Sequence, residues 1–214
     1  MAFTYLLSHK SDVWNLTVEH IQLSLTALAI ALPFAIVLGM IAALYHRLTL
    51  PILTLLGFIY TIPSLALLAF LIPSQGLGRR PALIMLVTYA QLYLVRNITA
   101  GLLGVNRDTL EAGLGVGMTR IQVLRRVWFP LALPVIIAGV RTAFVTIIGL
   151  ASIAAWINAG GLGELMFQGI SRDYPSMILA GVLSIIALAI VADVILRLLE
   201  RSTPVSRALR AGNS

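Results

Sequence analysis

The segment from Glu111 to Pro130 contains the residues whose types and spacing point most directly to a task. It reads EAGLGVGMTRIQVLRRVWFP and lies between two strongly apolar stretches. An amphipathic, basic segment of this length is unusual between two membrane spans, so we expect it to serve an interaction. Asp108 near its start and Arg125 and Arg126 near its end suit the dipole of a helix. We therefore predict a short helix over 108–126, with Gly115 and Gly117 available for a turn between two shorter helices.

Two charged residues lie inside apolar stretches and point to an ion pair. Arg141 is about ten residues into one stretch, roughly 15 Å at helical rise, and Asp193 is about seven residues from the end of another, roughly 10 Å. Both then sit in the same half of a bilayer, where an unpaired charge is costly. The sequence predicts a buried, structural pair between Arg141 and Asp193, in preference to a role in transport.

Residue types that support catalysis or metal binding are sparse. The chain has no cysteine, which excludes disulfides and thiolate sites, and its three histidines, His9, His20 and His46, are scattered. No Gly-x-x-x-x-Gly-Lys-Ser/Thr loop is present to hold a nucleotide. We therefore expect no catalytic residues, no metal site and no cofactor bound directly by this chain.

Polar and aromatic residues interrupt one apolar stretch and suggest a translocation path. Tyr60, Thr61, Pro63 and Ser64 are close in sequence, and Pro63 frees a backbone carbonyl that needs a partner inside a bilayer. The other aromatic residues noted in the spans are Tyr89, Tyr93 and Trp156, although aromatic side chains are also common at membrane interfaces.

A glycine-rich segment follows the fourth apolar stretch. It runs from Asn158 through Gly160, Gly161 and Gly163. Glycines tolerate large backbone changes, so the segment is a candidate outer gate, and a simple tight turn is the alternative.

The elements that must position these residues are membrane helices. The chain has 214 residues, 59% of them hydrophobic and only 11% charged, which is too apolar for a water-soluble domain of this length. A span needs roughly 20 apolar residues. We predict an all-α integral membrane protein that forms a single domain over 1–214. Its five spans are at about 21–44, 52–72, 82–103, 131–156 and 177–199. A loop at about 104–130 separates the third span from the fourth.

The first span carries a stripe of small residues, and the residues before it are expected to lie along the membrane surface. Small residues every fourth position allow close helix packing in lipid; the stripe consists of Ala27, Ala31, Ala35, Gly39 and Ala43. Residues 13–20 precede the span and include Trp14, which suits the headgroup level.

The distribution of basic residues predicts the orientation. The net charge of +7 resides mostly in short loops, which is the pattern of a membrane protein and does not indicate nucleic-acid binding. With the N-terminus outside, four basic residues lie outside, at 10, 79, 80 and 172, and nine inside, at 47, 107, 120, 125, 126, 197, 201, 207 and 210. The positive-inside rule then favours N-out, C-in.

Four motifs in order resemble the permease subunits of ABC importers that depend on a binding protein. Glu111, Ala112, Gly117 and Pro130 match the cytoplasmic EAA coupling loop, whereas Gly113 stands where Ala is usual. The runs TIPSLALL at 61–68 and VRN at 95–97 with TAGL at 99–102 resemble osmoprotectant permeases, and AGGLG at 159–163 resembles the glycine-rich loop after the fourth span of the methionine and betaine importers. The resemblance covers nearly the whole chain and is closest to the glycine betaine, carnitine and choline permeases.

The resemblance implies a fold, partners and roles. The fold would be that of type I importers such as the methionine importer, in the bacterial inner membrane. Partners would be ABC ATPase subunits that use ATP and Mg²⁺, a second permease chain and an external binding protein. The ATPase would contact the coupling loop, with Glu111, Ala112, Gly113, Gly117, Arg120, Arg125 and Pro130 as its functional residues. A quaternary ammonium solute would favour a cage of aromatic faces, for which Tyr60, Tyr89, Tyr93 and Trp156 are available.

Three alternatives remain. A permease for another solute, such as an amino acid, shares the motifs. A secondary transporter predicts inverted repeats and more intramembrane acids than Asp193, and a membrane-embedded enzyme predicts a catalytic cluster.

Overall fold

The computed structural model describes residues 2–202, and all regular secondary structure among them is helical. Arg207 and Arg210, which contribute to the predicted orientation, lie outside the described residues. The helices, in chain order, are α1 (Ala2–Ser8), α2 (Lys10–Leu44), α3 (His46–Tyr60), α4 (Ser64–Gln75), α5 (Arg79–Leu103), α6 (Arg107–Gly115), α7 (Arg120–Val123), α8 (Phe129–Ala154), α9 (Gly163–Ser171) and α10 (Pro175–Ser202). A π-helical turn (Leu124–Trp128) precedes α8 and a 3₁₀ turn (Ala155–Ile157) follows it.

Within residues 2–202, four helical segments are long and apolar enough to cross a membrane, and α3 and α4 form a fifth crossing if they are counted as one bent span. The two helices meet at 87°, so the span predicted at 52–72 is not a continuous helix. The break has a local cause. Pro63 cannot donate a backbone hydrogen bond, and the residues around it, from Thr61 to Pro63, leave the helix.

Helix α2 is longer than the span predicted within it. Its 35 residues extend roughly 50 Å, well beyond the hydrocarbon thickness of about 30 Å. Residues 13–20 are the first turns of this helix, so the prediction that they form a separate surface segment is wrong. No proline or glycine stands between Lys10 and the apolar run, and nothing local therefore ends the helix there.

Helix α5 is the centre of the bundle, between α2 and α8. The small-residue stripe of α2 faces it: Ala27, Ala31 and Ala35 are fully buried, as the spacing predicts. A Cβ built on Gly39 would lie 2.6 Å from Cγ2 of Ile98 on α5, so a side chain at this crossing would force the two helices apart.

On its other side, α5 packs closely against α8. A Cβ built on Gly139 would overlap the side chain of Asn97, and one on Gly101 would lie 3.0 Å from the carbonyl oxygen of Ala132. These two contacts bring the backbones of α5 and α8 together near the coupling end of the bundle. The segment 104–130, which joins α5 to α8, therefore begins and ends at two closely packed helices.

Candidate functional site: coupling segment, path and outer loop

The predicted coupling segment forms a helix–turn–helix. Helix α6 begins after Asn106, whose side chain accepts a hydrogen bond from the backbone N–H of Asp108 at 2.8 Å. Thr119 and Gln122 form a reciprocal capping box at the start of α7, with bonds of 2.8 and 3.3 Å. Gly117 takes a left-handed φ of 89° between these two separately capped helices, so the predicted turn between two short helices is present and 108–126 is not one continuous helix.

Gly113, where the resemblance leads one to expect Ala, is the residue at which α6 packs on α7. It is buried, and a Cβ placed there would lie 3.2 Å from Cγ2 of Val123 and 3.7 Å from the sulfur of Met118. A methyl group there would require the side chain of Val123 to shift by a few tenths of an ångström. The glycine therefore suits the close packing of this particular helix pair.

The second half of the coupling segment is continuous with a membrane helix. From α7 the chain passes through the π-helical turn, which carries exposed Arg125 and Arg126, into α8, where Pro130 occupies the first turn. The indole Nε1–H of Trp128 donates to the carbonyl of Leu102 near the end of α5, at 2.7 Å. Helix α7, the π-helical turn and α8 therefore follow one another with no loop between them.

The coupling segment exposes an apolar surface bordered by charge. Leu114, Val116 and Ile121 are 45%, 78% and 64% exposed. Glu111, Ala112 and Arg120 are exposed as well. A cavity of about 440 Å³ opens here; its lining includes Leu44, Leu110, Leu114, Arg120, Ile121 and Trp128. Exposed apolar side chains rimmed by charges are typical of a protein interaction site.

The break between α3 and α4 carries a cluster of tyrosines. The hydroxyls of Tyr60 and Tyr93 are 2.9 Å apart, and the hydroxyl of Tyr89 donates to the carbonyl of Ile62 in the break. Tyr60 meets both other rings edge to face with centroids 5.4 Å apart. A backbone carbonyl within the break is thus satisfied from α5, as a bilayer requires.

Thr61, Pro63 and Ser64 lie at the same break. Thr61 and Pro63 are exposed and Ser64 is half-buried at the start of α4. The hydroxyl of Thr61 donates back to the carbonyl of Phe58 at 2.7 Å. Sequence and structure thus bring together the polar residues proposed for the path, at a bend within the bundle.

The glycine-rich loop at the other end of the bundle has a left-handed backbone at three positions and is hydrogen-bonded to α2. Asn158, Gly160 and Gly161 have φ values of 60°, 88° and 88°. The backbone N–H of Gly161 donates to Oε2 of Glu19 on α2 at 3.1 Å, and the backbone N–H of Gly78 donates to the carbonyl of Ile157 at 2.7 Å. These bonds hold the loop against α2, and the 3₁₀ turn before it against the start of α5.

Bulk is not accommodated at these glycines. A Cβ on Gly160 would lie 2.6 Å from Oε2 of Glu19, and one on Gly161 would lie 2.9 Å from Nδ1 of His20. A Cβ on Gly163, the first residue of α9, would overlap the carbonyl oxygen of Ser152. The close approach of backbone to α2 and α8 explains the glycines, and the gate remains a prediction.

Arg141 and Asp193 are in contact, within a larger cluster. Arg141 Nη1 is 3.0 Å from Asp193 Oδ1, and its Nε is 3.5 Å from Glu200 Oε2. Asp193 also accepts from Arg197 Nη2 at 3.1 Å. The side chains of the pair are 23% and 31% exposed, so the pair is half-buried and shared among four residues that join α8 to α10.

Sequence reasoning missed Glu19, His20 and Trp128 as positioning residues. His20 is completely buried and its Nε2–H donates to the carbonyl of Ile148 at 3.0 Å. The only sequence signal for Glu19 and His20 was polarity directly before an apolar run. Trp128 lies in the coupling segment, but its partner on α5 is 26 residues away along the chain.

Comparison with known proteins identifies the family. Residues 35–204 match the family described as "Binding-protein-dependent transport system inner membrane component". The choline transport system permease protein OpuBB of Bacillus subtilis (strain 168) is 39% identical, covering 92% of this chain and 91% of the relative. The osmoprotectant import permease protein OsmW of Salmonella typhimurium (strain LT2) is 40% identical, covering 92% and 94%. The glycine betaine/carnitine/choline permease protein OpuCB of Bacillus subtilis is 37% identical, covering 92% and 91%.

Solved structures of ABC importers share the fold. A structure of inward-facing conformations of the MetNI methionine ABC transporter superposes with a TM-score of 0.77 over 86% of this chain and 93% of that chain, at 19% identity. A structure of an amino acid ABC transporter superposes with a TM-score of 0.76 over 93% and 97%, at 17% identity. The similarity confirms the predicted type I permease fold.

Proposed function

Because this chain belongs to the family of binding-protein-dependent transport system inner membrane components, we propose that it forms the translocation path of an ATP-driven importer for a trimethylammonium osmoprotectant. The observation that carries the substrate class is identity of 37–40% over about nine-tenths of the chain to permeases named for choline, glycine betaine, carnitine or osmoprotectants. These named solutes share a quaternary ammonium group. An amino-acid importer is the second candidate, favoured only by a shared fold.

The complex contains further subunits that this chain requires for transport. Two ATPase subunits bind ATP and Mg²⁺, a second permease chain completes the path, and an external binding protein delivers the solute. The exposed apolar surface of Leu114, Val116 and Ile121 supports an ATPase contact at the coupling segment, because such a surface is otherwise exposed to water.

The coupling segment is proposed to transmit ATPase movement to the membrane. Helix α7 continues through the π-helical turn into α8, and Trp128 ties the junction to α5. A push on α7 would therefore rotate or tilt α8 as a body. The far end of α8 leads into the glycine-rich loop, so the same helix links the ATPase end of the bundle to the proposed gate.

The path is proposed to pass the break between α3 and α4. Thr61 and Pro63 expose polar backbone and hydroxyl groups there, in a region where a lipid-facing break would be costly. A break of this kind is tolerated where it lines a protein-enclosed, water-accessible space. A second permease chain facing the break would enclose it.

Uptake in proteoliposomes tests the proposal. The complete complex with its binding protein should accumulate glycine betaine, carnitine or choline in an ATP-dependent manner, and methionine should not compete. Omission of ATP serves as the blank. Competition by methionine and no uptake of any trimethylammonium solute would support the amino-acid alternative instead.

Coupling is tested with Glu111→Lys and the milder Glu111→Gln. Glu111 is exposed and makes no contact needed for the membrane bundle, so both variants should insert normally. Reversal of the charge should abolish uptake and weaken ATPase association, whereas loss of the charge alone should have a smaller effect. Normal uptake by Glu111→Lys would contradict the coupling role.

A further inference from the structure

A cavity of about 670 Å³ lies at the end of the bundle opposite the coupling segment, between the end of α8 and helix α9. Its lining combines Trp156 and Phe167 with Glu164 and Arg172. Two aromatic rings, one carboxylate and one guanidinium therefore share a single open space. None of these four residues has a role in the coupling segment or at the break between α3 and α4.

One part of the cavity has the chemistry of a cation site. Trp156 lies in the 3₁₀ turn and is 51% exposed, so its ring is accessible. Glu164 is half-buried in the first turn of α9, and Phe167 follows it by one helical turn. A carboxylate beside aromatic faces is the arrangement that attracts a quaternary ammonium group.

The carboxylate of Glu164 has no neutralising partner among the described residues. No ion pair forms on it there. Burial raises its pKa, and the nearby acidic Glu19 raises it further. The carboxylate of Glu19 accepts a hydrogen bond from the backbone N–H of Gly161. A cation in the cavity would relieve the repulsion between the two carboxylates, so the local electrostatics favour a positively charged ligand.

The opposite part of the cavity has the chemistry of an anion site. Arg172 follows the last residue of α9, is exposed, and makes no ion pair with any described residue. Glu164, Gln168 and Arg172 are spaced four residues apart and line one side of the helix. Their first and last Cα atoms are separated by roughly 12 Å, which is too far for a direct pair along the helix but allows both side chains to reach one small zwitterion.

The other aromatic residues do not offer an equivalent site. Tyr89 is only 3% exposed, and Tyr60 packs edge to face against both Tyr89 and Tyr93. These rings pack against one another, and their hydroxyls are hydrogen-bonded within the cluster and to the carbonyl of Ile62. Of the four aromatic residues considered for a cage, Trp156 is the one with an open ring on a cavity that also holds opposite charges.

We propose that this cavity is an entry site for a trimethylammonium solute that also carries a carboxylate, with Trp156, Phe167 and Glu164 around the ammonium group and Arg172 at the carboxylate. The proposal rests on the proposed function and adds to it. The solute would contact this site after leaving the binding protein and before passing the glycine-rich loop. A solute with a carboxylate is held at both ends, whereas choline is held only at its ammonium end.

Equilibrium binding of radiolabelled glycine betaine and choline to the purified permease–ATPase complex, without binding protein, tests the site. Glycine betaine should bind saturably and more tightly than choline. Trp156→Ala and Glu164→Gln should each weaken both solutes by roughly threefold to thirtyfold, and Trp156→Phe, which keeps a ring, should restore most of the affinity lost in Trp156→Ala. Arg172→Gln should weaken glycine betaine and leave choline unchanged.

Controls separate this site from its alternatives. Tyr93→Phe removes the hydroxyl hydrogen bond to Tyr60 and should not change solute binding. If Tyr93→Phe weakened solute binding and Trp156→Ala did not, the site would lie at the tyrosines and the proposal would be overturned. Each variant must elute as an intact complex, and the differential effect of Arg172→Gln on two solutes is not produced by misfolding. Normal uptake of glycine betaine by the whole system, together with no saturable binding here, would overturn the entry site while leaving the proposed function intact. Absence of trimethylammonium uptake by the wild-type system would instead contradict the proposed function.

Discussion

Gly139→Ala should destabilise the bundle by forcing α5 and α8 apart. A Cβ at this position would overlap the side chain of Asn97 and lie 2.8 Å from its Cγ, whereas unstrained carbon contacts are about 3.5–4.0 Å. The helices would have to separate by about 1 Å. Overpacking of a close-packed interior typically costs ~1–3 kcal/mol, and replacing a helical glycine with alanine returns ~1 kcal/mol.

Gly149→Ala in the same helix is the matched control. Gly149 is exposed and a Cβ there meets nothing within 4 Å, so this variant gains the same helix propensity without the clash. The two variants should therefore differ in unfolding free energy by about 1–3 kcal/mol, since the propensity contribution cancels. Heating in detergent followed by size-exclusion chromatography measures the intact fraction. Equal stability of the two variants would refute the close α5–α8 crossing.

Other contacts give comparable tests. Gly117→Ala should lower the free energy of unfolding by about 1–2 kcal/mol, because Gly117 has a φ of 89° that alanine rarely adopts. Gly115→Ala is the control, since a Cβ there meets no atom within 4 Å. Only Gly117→Ala should lower stimulation of the ATPase, and equal behaviour of the two variants would contradict the turn. Arg141→Ala and Asp193→Ala should each lower the free energy of unfolding by about 1–3 kcal/mol, less than for a fully buried ion pair because this pair is half-buried. A double-mutant cycle should show non-additive losses, and additive losses would contradict the pairing. Trp128→Phe loses one hydrogen bond to α5 and should cost about 1 kcal/mol and make the coupling segment more sensitive to proteolysis; unchanged proteolysis would mean that the bond does not hold the segment.

The sequence determined the elements that depend on local composition. Apolar runs and their charged borders predicted the helices, and the spacing of Ala27, Ala31 and Ala35 predicted the buried face of α2, because side chains four residues apart share one face of any helix. Pro63 marked an interruption, since the missing N–H is a property of the residue itself. The motif at 111–130 indicated the family, which the comparisons confirm.

Only the tertiary structure decided how distant segments meet. Three features depend on how the helices pack. They are the bend of 87° at Pro63, the contact of Glu19 with a loop 142 residues away, and the placement of Trp156 in one cavity with Glu164 and Arg172. The sharing of Arg141 between Asp193 and Glu200 likewise arises because α10 lies beside α8. A local pattern specifies which face of a helix is apolar, but the partner of that face is chosen by the packing of the whole chain.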